Sequence, residues 1–347
     1  MKNRAIVRAL VVAAVAIFIT LLSGVTLAQD MPPLPGELVI GDLQTPRGIS
    51  FDADGNLLVT VTGNGGEMQV ELPAIDDPAA MMTVNMGLSG AVLSIGADGV
   101  PAPVVGGYPS YATPGETVGL YRAYRQGDSL WLVVSSAGPG AYWGSSVVEL
   151  DAAGMTRRVI SLYPYEAANN PDGNEIDSNV ADIAWTADGT MLIADAGANA
   201  LLSWTEADGL QTVVAWPSND VPTSVEVAEN GDIYVGFLGA GVAPGAGKVE
   251  RWSNGALAET FGGMTGVTDI LLDGDTLYAV ELFLFGEQGP GPGDVLMVSA
   301  DGNTVVAGGL ITPFALAKGP DGALYVSYGT IAFAPGMTGG VVKLADM

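Results

Sequence analysis

The segments GAVLSI (90–95), SSVVEL (145–150), NALLSW (199–204), GKVERW (247–252), GDVLMV (293–298) and GGVVKL (339–344) are six copies of one apolar strand, and their spacing decides the fold. Successive copies begin 55, 54, 48, 46 and 46 residues apart. A repeat of roughly 40–50 residues made of short strands marks a β-propeller, with one four-stranded blade per repeat. Working outward, each copy follows a second strand opened by a Gly-containing turn: DGNLLVTV (54–61), GDSLWLVV (127–134), DGTMLIAD (188–195), NGDIYVGF (230–237), GDTLYAVE (274–281) and DGALYVSY (321–328). Asp-Gly and Asn-Gly between apolar runs are tight-hairpin signals, because glycine tolerates positive φ.

First strands precede these turns at 46–51, 119–124, 180–185, 222–227, 268–272 and 313–318, and fourth strands follow at 102–105, 157–160, 211–214, 258–261 and 303–306. Only five fourth strands are found downstream, and GELVIGDL (36–43) stands ahead of the first repeat. The expectation is therefore an all-β, six-bladed β-propeller whose sixth blade is closed by the N-terminal strand, residues 37–43 pairing onto 339–344. Closure removes the two open edges of a linear array. One domain is expected over 37–347, after a signal peptide (1–28) and a linker (29–36).

The start of the chain carries the signal-peptide reading. MKNRAIVR supplies positive charge, an uncharged apolar run follows, and small residues surround Ala28, where cleavage is expected. The run is also long enough to serve as an uncleaved anchor. No second run of that length appears, so no membrane span is expected after signal removal, and the protein is expected to be secreted, periplasmic or extracellular. Among 347 residues there is no cysteine and no histidine, and the net charge is −26. The core alone must hold the fold. Ser-His-Asp and Cys-His catalysis and His-ligated zinc are excluded, leaving metal binding to oxygen ligands. So acidic a surface repels nucleic acid and attracts cations.

Insertions at 63–89, 109–117, 163–178 and 283–292 all fall in links on one face of the ring. Insertions gathered on one face of a repeat protein mark its binding side. A small molecule, polysaccharide or protein is expected there, with the protein itself a monomer. Met81, Met82 and Met86 lie in the first insertion, either as an adaptable contact surface or packed onto their own blade. Trp131, Trp185, Trp204 and Trp252 fall on strands and are expected in the core or between blades.

Aligning the repeats by their Gly turns brings acids into register. Asp195 and Glu281 share the end of the second strand in blades three and five, and Asp182 and Asp269 share a first-strand position. Asn179 opens the third blade and Asn199 follows Asp195 in ADAGANALL. Carboxylates and amides converging on a propeller axis suit a hard cation such as Ca²⁺. The same residue types also cap turns. The polar stretch YPYEAANNPDGNEIDSNVAD (163–182) reads as a lid or rim, or as a metal cage, and its DGNEID only partly matches a calcium loop.

The segments PYEAANNPDGNEIDSN, ADAGANALLSW, VPTSVEVAENGDIYVGFLG and DGALYVSYG resemble the ScyD/ScyE family of exported propeller proteins, a family named for its association with the pigment scytonemin. The likeness spans about residues 37–345. Where relatives carry a Cys-bearing insertion, this chain has the Met-rich one. More distantly the repeats resemble NHL repeats, and the ring resembles gluconolactonase and strictosidine-synthase propellers. That second resemblance implies a central divalent metal, for which Asp195, Glu281, Asn179 and Asp269 are the matching candidates. Two functions are weighed foremost. One is a binding or scaffold protein working through the loop-rich face. The other is a Ca²⁺-dependent, lactonase-like hydrolase with a metal at the axis. An oxidoreductase or condensing enzyme of a pigment pathway is a third; no dinucleotide fingerprint supports it, since GNGG (63–66) does not open a helix.

Overall fold

A computed structural model describes residues 33–73, 80–113, 116–138, 140–141, 143–286, 289–331 and 337–345. The expected signal peptide and the first half of the expected linker lie outside the described residues. Among those described, no helix is long and apolar enough to cross a membrane.

The repeats fold as expected, into a β-propeller of four-stranded antiparallel sheets. Each first strand pairs with its second through the Gly turn, as Val180–Trp185 does with Met191–Asp195, and the third and fourth follow outward. The four units that begin at Pro46, Glu116, Pro222 and Val267 repeat this order. The sixth is completed from the other end of the chain. Gly36–Leu43 pairs antiparallel with Gly339–Leu344, from Gly36 opposite Leu344 to Leu43 opposite Gly339. The innermost strands then touch one another in cyclic order, the last, Leu316–Lys318, meeting the first, Pro46–Phe51. Alternate apolar residues of each sheet pack into the gaps between sheets, as in the contact of Trp131 with Trp185 and Trp204, ring centroids 6.0 and 6.4 Å apart. The tryptophans therefore lie between blades, as expected.

Two insertions contain more structure than their composition suggests. Met68–Pro73 forms a strand on an extended Met81–Ile95. Pro101–Thr113 runs on to pair with Glu116–Gln126, which fuses the first two sheets. Met82 and Met86 pack against the core below, whereas Met68, Met81 and Leu88 are exposed. The polar stretch after Ser161 opens with a helix, Tyr163–Asn169. Pro164 does not prevent it, because a proline in the first turn removes an N–H that has no helical partner anyway.

One detail positions the axis. Five of the six innermost strands slip register near their starts, between Pro46 and Ile49, Leu120 and Arg122, Val180 and Asp182, Pro222 and Ser224, and Val267 and Asp269. A bulge re-aims the side chain after it. The layer so formed holds Gly48, Arg122, Asp182, Ser224 and Asp269.

Candidate functional site

The hub is filled by an arginine. Arg122 is 2% exposed. Its Nη1 lies 2.9 Å from Asp269 Oδ1 and its Nε 3.4 Å from Asp182 Oδ1. Nε also donates to the carbonyl of Ala181 at 3.1 Å, and Nη2 to that of Thr268 at 3.0 Å. Room for the guanidinium stem exists because the first blade presents glycine here. A Cβ on Gly48 would sit 2.6 Å from the Tyr121 carbonyl oxygen and 2.8 Å from Arg122 Cα. Burial works against the Arg122 charge, and the coulombic pull of Asp182 and Asp269 more than offsets it, so its pKa stands above the ordinary value.

The two carboxylates are further engaged by donors from neighbouring blades. Asp182 accepts from the Tyr124 hydroxyl (2.6 Å), its neighbour's N–H at Ile183 (2.8 Å) and the Val225 N–H (3.0 Å). Asp269 accepts from the Leu316 N–H at 2.8 Å. Burial raises the pKa of both, and Arg122 pulls each back. The Tyr124, Val225 and Ile183 donors also work against the rise at Asp182 without cancelling it, so its pKa stays above the ordinary value. These bonds tie five different blades together at one point.

On the insertion-bearing side the hub is closed by a second arginine. Arg47 lies between the rings of Tyr121 and Phe314, 4.6 and 4.8 Å from their centroids. Its Nη2 donates to Glu116 Oε1 at 3.0 Å, and Tyr121 donates to the same oxygen at 2.9 Å. On the other side a cavity of 380 Å³ extends from the Arg122 layer toward the short turns, lined by all six innermost strands. Its wall carries Ser50, Tyr124, Trp185 and Glu226. The carboxyl of Glu226 is pushed up to about 8, first by burial and then by Asp182 and Asp269, with Arg122 opposing. Lys318, also in the wall, pairs with Asp273 at 2.6 Å.

Of the six predicted metal ligands, only Asp182 and Asp269 line this cavity. Of the other four, Asp195 and Glu281 end second strands, Asn179 precedes a first strand and Asn199 a third, and all four are bonded to nearby groups. Asp195 accepts from Ser178 Oγ (2.6 Å) and from the N–H groups of Asn179 (2.7 Å) and Ala198 (3.2 Å). Asn179 Oδ1 accepts from Ser135 Oγ (2.6 Å) and the Ser136 N–H (3.0 Å). Asn199 donates to Asp172 (2.9 Å) and Asn219 (3.1 Å) and accepts from the Val221 N–H (3.1 Å). Glu281 accepts from the Thr265 N–H at 2.5 Å. Among the described residues no three carboxylates stand close enough to hold an ion together. The convergence on the axis is thus narrower than expected: Asp195 and Glu281 lie one strand out from the hub, and the Asn179 and Asn199 side chains are taken up by neighbouring loops.

Arg122, Tyr124 and Glu226 were not anticipated from the sequence. A signal was present: in GLYRAY (119–124) Arg122 holds the register position that Asp182 and Asp269 hold in their own repeats.

No family model matches the sequence, and no curated protein matches it either. Solved structures do. An oxidoreductase described as a glucose dehydrogenase, from Thermus thermophilus, is 15% identical with a TM-score of 0.54 over 90% of this chain and 100% of that one. A second glucose dehydrogenase is 14% identical with a TM-score of 0.54 over 91% and 100%. A calcium-binding regucalcin from Agrobacterium tumefaciens is 13% identical with a TM-score of 0.52 over 91% and 96%. At these identities the likeness is one of fold, the β-propeller.

Proposed function

We propose that this chain is an exported binding protein, related to the ScyD/ScyE propellers, whose axial cavity takes a small neutral molecule bearing hydroxyl groups. The observation that carries this reading is the pairing of Arg122 with Asp182 and Asp269, which takes up the hub charges internally and leaves a polar floor with no free cation. Above that floor, Glu226 in its neutral form both donates and accepts, and the Ser50 and Tyr124 hydroxyls and the Trp185 ring share the wall. A cavity of this size, walled by aromatic groups and a few convergent polar ones, has the character of a small-ligand site. Export is supported by the residues before Ala28, and the family relation by the segments quoted above. The insertion-bearing face, with Met68, Met81 and Leu88 exposed, is the surface this reading leaves for a polysaccharide or protein. Calorimetric titration with a panel of neutral mono- and disaccharides tests the proposal. Saturable binding, weakened at least tenfold in Glu226→Leu, is expected. Absence of binding across the panel, or binding indifferent to Glu226, overturns it.

A second reading, a Ca²⁺-dependent lactonase-like hydrolase, draws support from the calcium-binding regucalcin among the structures of like fold. In such an enzyme the ion would polarise a carbonyl and activate water. The residues at the hub do not fit it. The place between Asp182 and Asp269 is held by a guanidinium.

A further inference from the structure

The helix Tyr163–Asn169 carries a second cluster of buried polar atoms, beside the third blade, with a different chemistry. Glu166 is its one buried residue, 1% exposed. Neither of its carboxylate oxygens has a hydrogen-bond partner. The N–H of Asp177 faces the carboxyl and works against the rise in its pKa. One turn further on, Asn170 ends the helix in the left-handed conformation, φ 41° and ψ 67°. Its Nδ2 donates to the Asn174 carbonyl at 2.9 Å, while its Oδ1 is buried without a partner. The helix thus presents three buried oxygens, the two of the Glu166 carboxyl and Asn170 Oδ1, that lack a hydrogen-bond partner.

The surroundings sharpen the point. Burial first, and then the like charges of Asp195, Asp172 and Asp177, push the Glu166 carboxyl up to about 8, so without a cation it keeps its proton at neutral pH. Asp195 and Asp172 are already supplied with donors: Ser178, Asn179 and Ala198 for the first, Asn174 and Asn199 for the second. Among the described residues no Lys or Arg pairs with Glu166; the ion pairs run elsewhere. Buried polar groups are almost always satisfied, and a bare buried carboxylate is costly. A buried carboxyl in a negative potential either keeps its proton or meets a cation, and a hard cation prefers carboxylate and amide oxygens.

We propose that this cluster binds one divalent cation of the Ca²⁺ class, which displaces the Glu166 proton to solvent and takes the Glu166 carboxylate and Asn170 Oδ1 as its protein ligands, with water completing the shell. Asp172 and Asp195, held by their own donors, supply the surrounding negative charge. The site is separate from the axial cavity and does not depend on any ligand there.

The test is titration of EDTA-stripped protein with CaCl₂, followed by calorimetry and by the melting midpoint. One equivalent of Ca²⁺ is expected to bind and to raise the midpoint by linkage. Glu166→Gln should abolish both effects, yet melt no lower than the wild type in EDTA, since it buries no charge. Asn170→Gly, which keeps the left-handed backbone, should weaken Ca²⁺ at least tenfold and serves if Glu166→Gln does not fold. Glu281→Gln should bind as the wild type does. No heat and no midpoint shift with Ca²⁺ overturns the proposal, as does undiminished binding in either Glu166→Gln or Asn170→Gly.

Discussion

Arg122 Nη1 stands 2.9 Å from Asp269 Oδ1, across the axis of the ring, and this contact joins the second blade to the fifth. Each partner is embedded, and each is also bonded to the backbone of a further blade. Removing one member leaves the others buried and uncompensated. Arg122→Met is therefore expected to destabilise the fold by about 3–5 kcal/mol. Arg122→Met combined with Asp182→Asn and Asp269→Asn should recover part of that loss. Urea unfolding of the variants measures it; a single variant as stable as the wild type would contradict the arrangement.

Gly48→Ala addresses the same layer from the opposite side. The added methyl meets the Tyr121 carbonyl and the Arg122 backbone, neither of which can turn away. Overpacking of this kind is expected to cost about 1–3 kcal/mol. The same change at Gly99, where a Cβ meets nothing within 4 Å but φ is +71°, should cost less. Equal losses at the two positions would show that the hub is looser than described.

Ring closure predicts an asymmetry between deletions. Removing residues 33–43 takes away the strand that covers Gly339–Leu344 and reopens the ring. Removing residues 72–82 shortens only an insertion on the first blade. The first deletion should lower the melting midpoint far more than the second, and comparable losses would argue against closure by the N-terminal strand.

The pH dependence follows from Glu226. Its folded pKa, about 8, lies above the ordinary carboxyl value. Below the unfolded pKa both states are protonated and the group is without effect. Between the two values the folded state holds the extra proton, so stability falls as pH rises, and the full loss is reached above the folded pKa. Wild type should be less stable at pH 9 than at pH 5, and Glu226→Gln should flatten part of that slope. A slope unchanged by the substitution would mean that Glu226 titrates normally.

Much of this was legible in the residues themselves. The third strands announce their repeat because each must bury both faces between neighbouring blades, which forces short apolar runs such as SSVVEL and GDVLMV. The missing fourth strand pointed to Gly36–Leu43, and the register of Asp182 with Asp269 is what the axis shows. Arg122 escaped notice because its partners are chosen by ring closure over long sequence separations, which no local pattern records. The helix Tyr163–Asn169 was hidden by its proline and asparagines, residues that commonly mark loops, and so the burial of Glu166 was hidden with it. Met68–Pro73 pairs within an insertion whose composition carries no strand alternation clear enough to read.

The cation at the propeller axis is the guanidinium of Arg122. A crystal structure of the protein grown with CaCl₂, with an anomalous difference map, tests it most directly. The account predicts continuous density for Arg122 between Asp182 and Asp269 and no anomalous peak on the axis. A peak coordinated there by those two carboxylates, with Arg122 turned aside, would contradict it.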